Sequence, residues 1–218
     1  AFHGLPLIIA TIFFSIQIYC DFSGYCDIAL GAASVMGFTM VENFKFPYFS
    51  FSFREFWLRW HISLSSWFRD YLYIPLGGNH YGLTRWMLAI LVVFNASGLW
   101  HGASITFIIW GFLHGIYLII ERIFLKDISP LNICRPFFIF IFVSIAWIFF
   151  RSNSLEEAIY IFNNILNFKG GGFLSVPSVS FQAFIISCAC IALLLIVELL
   201  QFKGLDKKLM KHHSGLIK

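Results

Sequence analysis

The chain has 218 residues, of which 59% are hydrophobic, 20% aromatic and only 12% charged, with a mean hydropathy of +0.81 and a formal net charge of +4. A soluble domain of this length needs more polar surface than that, so the composition excludes an ordinary globular protein and points to an integral membrane protein. The modest positive charge comes without a basic block suited to nucleic acid, and the 28 phenylalanines and seven tryptophans suit surfaces facing acyl chains and headgroups.

Apolar runs near the spanning length of about 20 residues fall at 5–19, 86–99, 103–120, 136–150 and 181–202. Five spans is therefore the minimum expected. The chain opens on Ala1, close to the first run and with no secretory pattern, and is expected to begin inside a longer protein. Cys20, Cys26, Cys134, Cys188 and Cys190 form no C-x-x-C pair, and neither a disulfide nor a metal site is expected.

The first run ends in an internal echo, Tyr19-Cys20-Asp21 and Tyr25-Cys26-Asp27, around Gly24. Carboxylates so close to a span either line a polar cavity or cap a helix at the interface, and residue type favours the cap. At 53–73 the pattern changes to one amphipathic helix, with Trp57, Trp60, Leu64 and Trp67 at spacings of three, four and three. It carries too many charges to span, so it lies in the interface or re-enters the protein. Glu55 and Arg59 form a favourable i,i+4 pair within it. His61, between bulky tryptophans, is either a substrate-orienting group or a side chain at headgroup level. "IPLGGNHYG" then supplies a turn rather than a phosphate loop.

The segment "NASGLWHGASITFIIWG", Asn95 to Gly111, places His101 inside an apolar run. A chain rarely keeps an ionisable group there without function. On a continuous helix Ser97, His101 and Ser104 share a face, and Gly98 with Gly102 forms a G-x-x-x-G suited to close helix packing. His114 falls nearly opposite and is expected to be packed and hydrogen-bonded beside Gly111 and Gly115. No G-x-S-x-G or H-E-x-x-H pattern accompanies His101, which leaves general-base chemistry on a bound hydroxyl and hence group transfer.

Glu121 to Arg135 reads as a connection on the cytoplasmic side, and an amphipathic segment at 155–168 precedes a "KGGGF" linker. The last span gives way to a basic tail, 203–218, with Lys203, Lys207, Lys208 and Lys211, which the positive-inside rule assigns to the cytoplasm.

The blocks "YCDFSGYCDIALG", "GFTMVENFKFPYFS", "FREFWLRWHISLSSWFRDYLYIPLGGN", "GLWHGASITFIIWGFLHG" and "SIAWIFFRSNSLEEA" strongly resemble the membrane-bound O-acyltransferase (MBOAT) family in its bacterial alginate O-acetyltransferase branch. The resemblance covers about Gln17 to Ala158. It implies an all-α, polytopic fold enclosing a funnel, present here in part as the C-terminal half of a longer chain, with residues 1–218 one membrane domain of the cytoplasmic membrane. It implies His101 as catalytic base and His61 as second site residue. It further implies acetyl-CoA as the donor, with no permanently bound cofactor. The acceptor would be an extracytoplasmic polysaccharide or a periplasmic or extracellular acetyl-accepting partner protein.

Around these two, Asn95, Ser97 and Ser104 are candidates for binding the oxyanion. Arg59 and Arg69 are candidates for donor phosphates or, equally, for anchoring in anionic lipid. Asp21 and Asp27 are expected to be structural or gating. Two other readings stand beside acyl transfer: a transporter or channel subunit with a histidine-lined path, and an inactive fragment that docks a partner.

Overall fold

The computed structural model describes residues 2–125, 134–168 and 180–205. They form helices throughout, with one isolated bridge between Phe44 and Trp60, and divide into two compact units, Ala1–Lys169 and Gly170–Lys218. Lys126, the glycines of the "KGGGF" linker, and Lys207, Lys208 and Lys211 of the tail lie outside the described residues.

In the first unit, α1 (Leu5–Val35) starts after Gly4, whose φ of 64° breaks the preceding backbone, and has Pro6 in its first turn. It runs 31 residues, roughly 46 Å, well past the expected end at Tyr19. Asp21 and Asp27 therefore sit on a continuous helix and cap nothing, because both lie more than three turns from its N-terminus. The helix packs on α6 (Arg135–Arg151), where Ser15 Oγ donates to Ser144 Oγ at 2.9 Å in a buried contact. Interhelical hydrogen bonds of this kind hold apolar helices where lipid removes any hydrophobic drive to associate.

Next, α4 (Gly82–His101) and α5 (Ile105–Phe124) form a tight antiparallel hairpin. A Cβ at Gly98 would collide with the Phe107 carbonyl, and one at Gly111 with the Phe94 carbonyl. The close approach thus comes from one glycine on each helix. The expected Gly98/Gly102 pair is split, since Gly102 caps the end of α4 instead. Among the described residues four helices are long and apolar enough to cross a membrane: α1, α4, α5 and the last helix, α8 (Phe181–Phe202). The fifth expected span is α6, whose 17 residues lie at the short limit for crossing.

Between Phe53 and Tyr73 the expected single helix is interrupted. α2 (Phe53–Arg59) and α3 (Ile62–Phe68) are separated by extended Trp60 and by His61 in the left-handed region, φ 44°, and a π-turn (Arg69–Tyr73) follows. The cause lies upstream. Lys45 N–H donates to the Arg59 carbonyl at 2.9 Å, and Ile62 N–H donates to the Asn43 carbonyl at 3.1 Å. The Asn43 side-chain oxygen accepts from Ser63 N–H and Ser63 Oγ, capping α3 from outside. The expected tryptophan stripe consequently divides, with Trp60 in the core and Trp67 exposed. Glu55 and Arg59 do pair, at 2.6 Å.

α2 is also braced at its start. Ser52 Oγ accepts from Glu55 N–H at 2.8 Å, and the Glu121 carboxylate on α5 accepts from Phe53 N–H at 3.0 Å and Arg54 N–H at 3.1 Å. A carboxylate at the orphan amides of a helix start is favourable both as a hydrogen bond and toward the helix dipole. The core of the unit is aromatic, with Trp110 stacked on Trp147 at 5.7 Å and Phe56 stacked on Trp60 at 5.6 Å. α7 (Leu155–Asn164) begins at Ser154, whose Oγ accepts from Glu157 N–H. In the second unit, α8 (Phe181–Phe202) has the expected bounds and starts at the capping residue Ser180.

Candidate functional site

His101 is the last residue of α4, and the hairpin's short connection holds it at the tip. Gly102 terminates the helix, and Ser104 caps α5 by accepting from Thr106 N–H at 3.3 Å. The imidazole packs edge-on against Trp100, Trp110 and Phe150, with ring centroids 4.9, 5.2 and 5.1 Å away. These walls fix the ring without using its nitrogens.

His61 reaches the same place from the α2/α3 break. A left-handed conformation costs a residue with a Cβ roughly 1–2 kcal/mol, and histidine tolerates it better than most. Here the strain is held by the Asn43 and Lys45 hydrogen bonds on either side. It turns the His61 ring onto Phe22 of α1, at 4.6 Å, and toward Trp100, at 6.2 Å. Trp100 thus touches both imidazoles. His61 lies outside the long spanning helices, and burial pushes its pKa down to about 4, so it is neutral at pH 7.

The two histidines line a cavity of about 730 Å³, in the size range of small-ligand sites. Its walls are Phe14, Ile18, Phe22, Trp100 and Phe150, and its polar groups are Gln17, Asp21, Tyr25, His61, His101 and Arg151. Among the described residues, none of those six polar side chains makes a hydrogen bond or ion pair. Two imidazoles, a carboxylate, a carboxamide, a phenol and a guanidinium therefore face one space with their hydrogen-bonding capacity available.

The other sequence candidates lie elsewhere. Asn95 Nδ2 donates to the Leu91 carbonyl at 2.7 Å, Ser97 is buried, and Ser104 is occupied as a helix cap, so none of the three lines the cavity. Ser104 leaves the face of His101 because the helix ends between them. Arg59 pairs with Glu55, and Arg69 donates twice to Asp70, at 2.7 and 3.1 Å; neither reaches the cavity. Asp21 lines the cavity, and Asp27 does not.

His114 is fully enclosed, as expected, by Phe56, Trp57 and Trp110, but neither of its nitrogens has a hydrogen-bond partner among the described residues. Around it stand the rings of Phe56, Trp57, Phe94, Trp110, Tyr117 and Trp147. Gln17, Tyr25 and Arg151 were not anticipated. Gln17, Asp21 and Tyr25 recur every four residues, a polar stripe along α1 that is visible once the helix is known to continue.

A multi-pass, all-α membrane protein with a histidine-lined cavity at the tip of a helical hairpin is the class these features define. The membrane-bound O-acyltransferase family model matches residues 2–154, and the chain belongs to that family. It is 46% identical over 157 residues to a probable alginate O-acetylase of Pseudomonas putida, covering 71% of this chain and 32% of the relative. It is 40% identical over 162 residues to a peptidoglycan O-acetyltransferase of Helicobacter pylori, covering 72% and 31%. A teichoic acid D-alanyltransferase of Bacillus subtilis is 32% identical over 123 residues, covering 52% and 30%. The chain spans about a third of the length of these curated relatives.

Proposed function

We propose that this chain carries the reaction centre of a membrane O-acetyltransferase. The observation behind the proposal is the pair of imidazoles, His61 and His101, lining one cavity with no protein partner for either among the described residues. Family membership and the alginate and peptidoglycan O-acetyltransferases among the relatives support the reaction class.

In this mechanism neutral His101 takes the proton from an acceptor hydroxyl as its oxygen attacks the carbonyl carbon of an acetyl thioester, acetyl-CoA being the donor proposed. The tetrahedral intermediate collapses with cleavage of the carbon–sulfur bond. The departing thiolate recovers the proton from the imidazolium, leaving an acetyl ester and a free thiol. His61, held neutral, donates a hydrogen bond through its ring N–H to orient the acceptor or the developing oxyanion. It takes the place in the mechanism of Asn95, Ser97 and Ser104, which lie outside the cavity.

The acceptor is proposed to be a polysaccharide outside the cytoplasm or a partner protein serving one. The orientation rests on charge: Arg85 and Arg122 stand at the hairpin end opposite His101, and the positive-inside rule turns that end to the cytoplasm. The cavity then receives the acceptor from the other side, while the donor is proposed to reach His101 from the cytoplasmic side.

The test is labelled acetyl transfer from acetyl-CoA by the full-length protein in membranes, beside His101→Ala. Loss of about 10²–10⁴ in rate is expected. Normal turnover by a stably inserted His101→Ala protein would overturn the mechanism. No turnover by either protein, with insertion confirmed, would instead favour the transport or docking reading.

A further inference from the structure

We infer that His114 and the indole N–H groups of Trp57, Trp110 and Trp147 enclose an internal water-binding site one ring behind His101, and that His114 acts through it as a positioning residue for that imidazole. The water site stands on the packing alone, and its effect on turnover rests on the acyl-transfer reading above.

The first observation is where the orphaned polar atoms fall. Among the described residues, the buried side-chain nitrogens and oxygens without a hydrogen-bond partner are Trp57 Nε1, Trp110 Nε1, Trp147 Nε1 and both ring nitrogens of His114. These atoms are not scattered. The His114 ring centroid lies 4.9 Å from Trp57, 5.1 Å from Trp110 and 6.2 Å from Trp147, and Trp110 lies 5.7 Å from Trp147. One cluster, built from α2, α5 and α6, therefore holds them all, at a depth where His114 is 0% exposed and Trp110 and Trp147 are 1% exposed. Folded proteins leave few buried polar groups unsatisfied, so orphans gathered in one place call for a shared partner.

The second step is which partner the chemistry admits. Each indole offers a donor and nothing else, whereas a neutral imidazole offers one donor and one acceptor. Ring faces in the cluster receive N–H groups weakly. No ring face donates to the imidazole lone pair, and none of the three indoles donates to it directly. A water molecule has both functions: its oxygen accepts from indole N–H groups while one of its O–H groups donates to His114. Buried waters typically make about three such bonds, and this cluster supplies partners for them.

The third observation is placement. Trp110 is the i,i+4 neighbour of His114 on α5 and packs edge-on against His101 at 5.2 Å. Trp147 packs on Phe150 at 5.1 Å, and Phe150 on His101 at the same distance. Two of the indoles thus form or support the wall that holds the His101 ring. A water bridge from His114 fixes the rotation of those indoles, and through them the tilt of the imidazole. Small displacements of a reacting group are costly in rate, so the bridge acts on turnover rather than on substrate affinity.

The experiment uses the full-length protein in nanodiscs and two variants for which ring packing and a water bridge predict opposite orders. His114→Phe keeps a ring and its apolar contacts but neither donates nor accepts. His114→Gln loses the ring but keeps a donor and an acceptor. The expected order is wild type, then His114→Gln, then His114→Phe, in melting temperature and in kcat for labelled acetyl transfer. For His114→Phe the kcat per folded molecule is expected to fall about 10- to 100-fold at unchanged KM. A high-resolution map of wild type is expected to show an ordered water within hydrogen-bonding distance of a His114 nitrogen and an indole nitrogen. His114→Phe at least as stable and active as His114→Gln would overturn the proposal in favour of dry ring packing. So would a map that resolves other buried waters and shows none here, and that map decides alone if neither variant folds. Unchanged kcat in a His114→Phe protein that melts earlier would remove the positioning role and leave the water site. Wild-type turnover no faster than that of His101→Ala would remove the acyl-transfer reading, while the melting order and the map still decide the water.

Discussion

The two ends of the α4/α5 hairpin use polar side chains in opposite ways. At the open end, away from the connection, Arg122 donates to Asn79, Glu121 takes the first amides of α2, and Arg85 donates to the Leu76 carbonyl. At the connected end, Gln17, Asp21, Tyr25, His61, His101 and Arg151 face one cavity without partners among the described residues. Paired polar groups brace a structure, whereas unpaired ones around a space are the mark of a ligand site. Substitutions at the two ends should therefore separate stability from activity.

The largest stability effect is expected where the helices touch. Gly111→Ala places a methyl group against the Phe94 carbonyl, and Gly98→Ala does the same against Phe107. Backbone cannot rotate away as a side chain can, so the hairpin must open, at a cost of about 1–3 kcal/mol or more. Thermal unfolding of the purified full-length protein should show a clear loss for either variant. An unchanged melting temperature would mean that α4 and α5 are not packed this closely.

Smaller, and confined to the braced end, is the effect of Glu121→Gln. The amide keeps one acceptor oxygen but loses the charge at the start of α2, and charge-assisted bonds are the stronger kind. A loss of about 1 kcal/mol is expected, with acetyl transfer at saturating substrates falling only as far as folded protein is lost. A fall in turnover per folded molecule would show instead that the brace is coupled to the cavity.

Several parts of this design were legible in the sequence. Long apolar runs announce their helices, and α8 has the expected bounds, its start marked by the capping residue Ser180. His101 stood out as an imidazole in an apolar run. The break at His61 could not be read locally, since its cause is Asn43 and Lys45 in a segment that by itself looks like a loop. The polar stripe of Gln17, Asp21 and Tyr25 was hidden by ending α1 at the first carboxylate, although lipid-excluded faces of long helices carry such residues. Arg151 joins the site only through the packing of α6 against its neighbours. The oxyanion candidates lie outside the cavity for separate reasons: Asn95 bonds back to the Leu91 carbonyl, Ser97 is buried within α4, and the helix end at Gly102 detaches Ser104 from the face of His101.

The finest distinction concerns His61 and acid. Its folded pKa is lowered by burial to about 4, whereas an unfolded histidine titrates near 6.5. Between those values the unfolded chain binds a proton that the folded one does not, so the stability this group confers is complete above pH 6.5 and is lost as pH falls toward 4. Replacing it with His61→Gln removes that proton from the unfolded state. Wild type should therefore lose more melting temperature than His61→Gln between pH 7.5 and pH 5, the difference being modest because His61 is only partly buried. The left-handed backbone is retained in both proteins, since Asn43 and Lys45 hold it through main-chain partners, so the comparison isolates the imidazole. Identical slopes would place His61 in water and out of the cavity, leaving His101 without its neutral partner and removing the contrast between the two ends at its most informative residue.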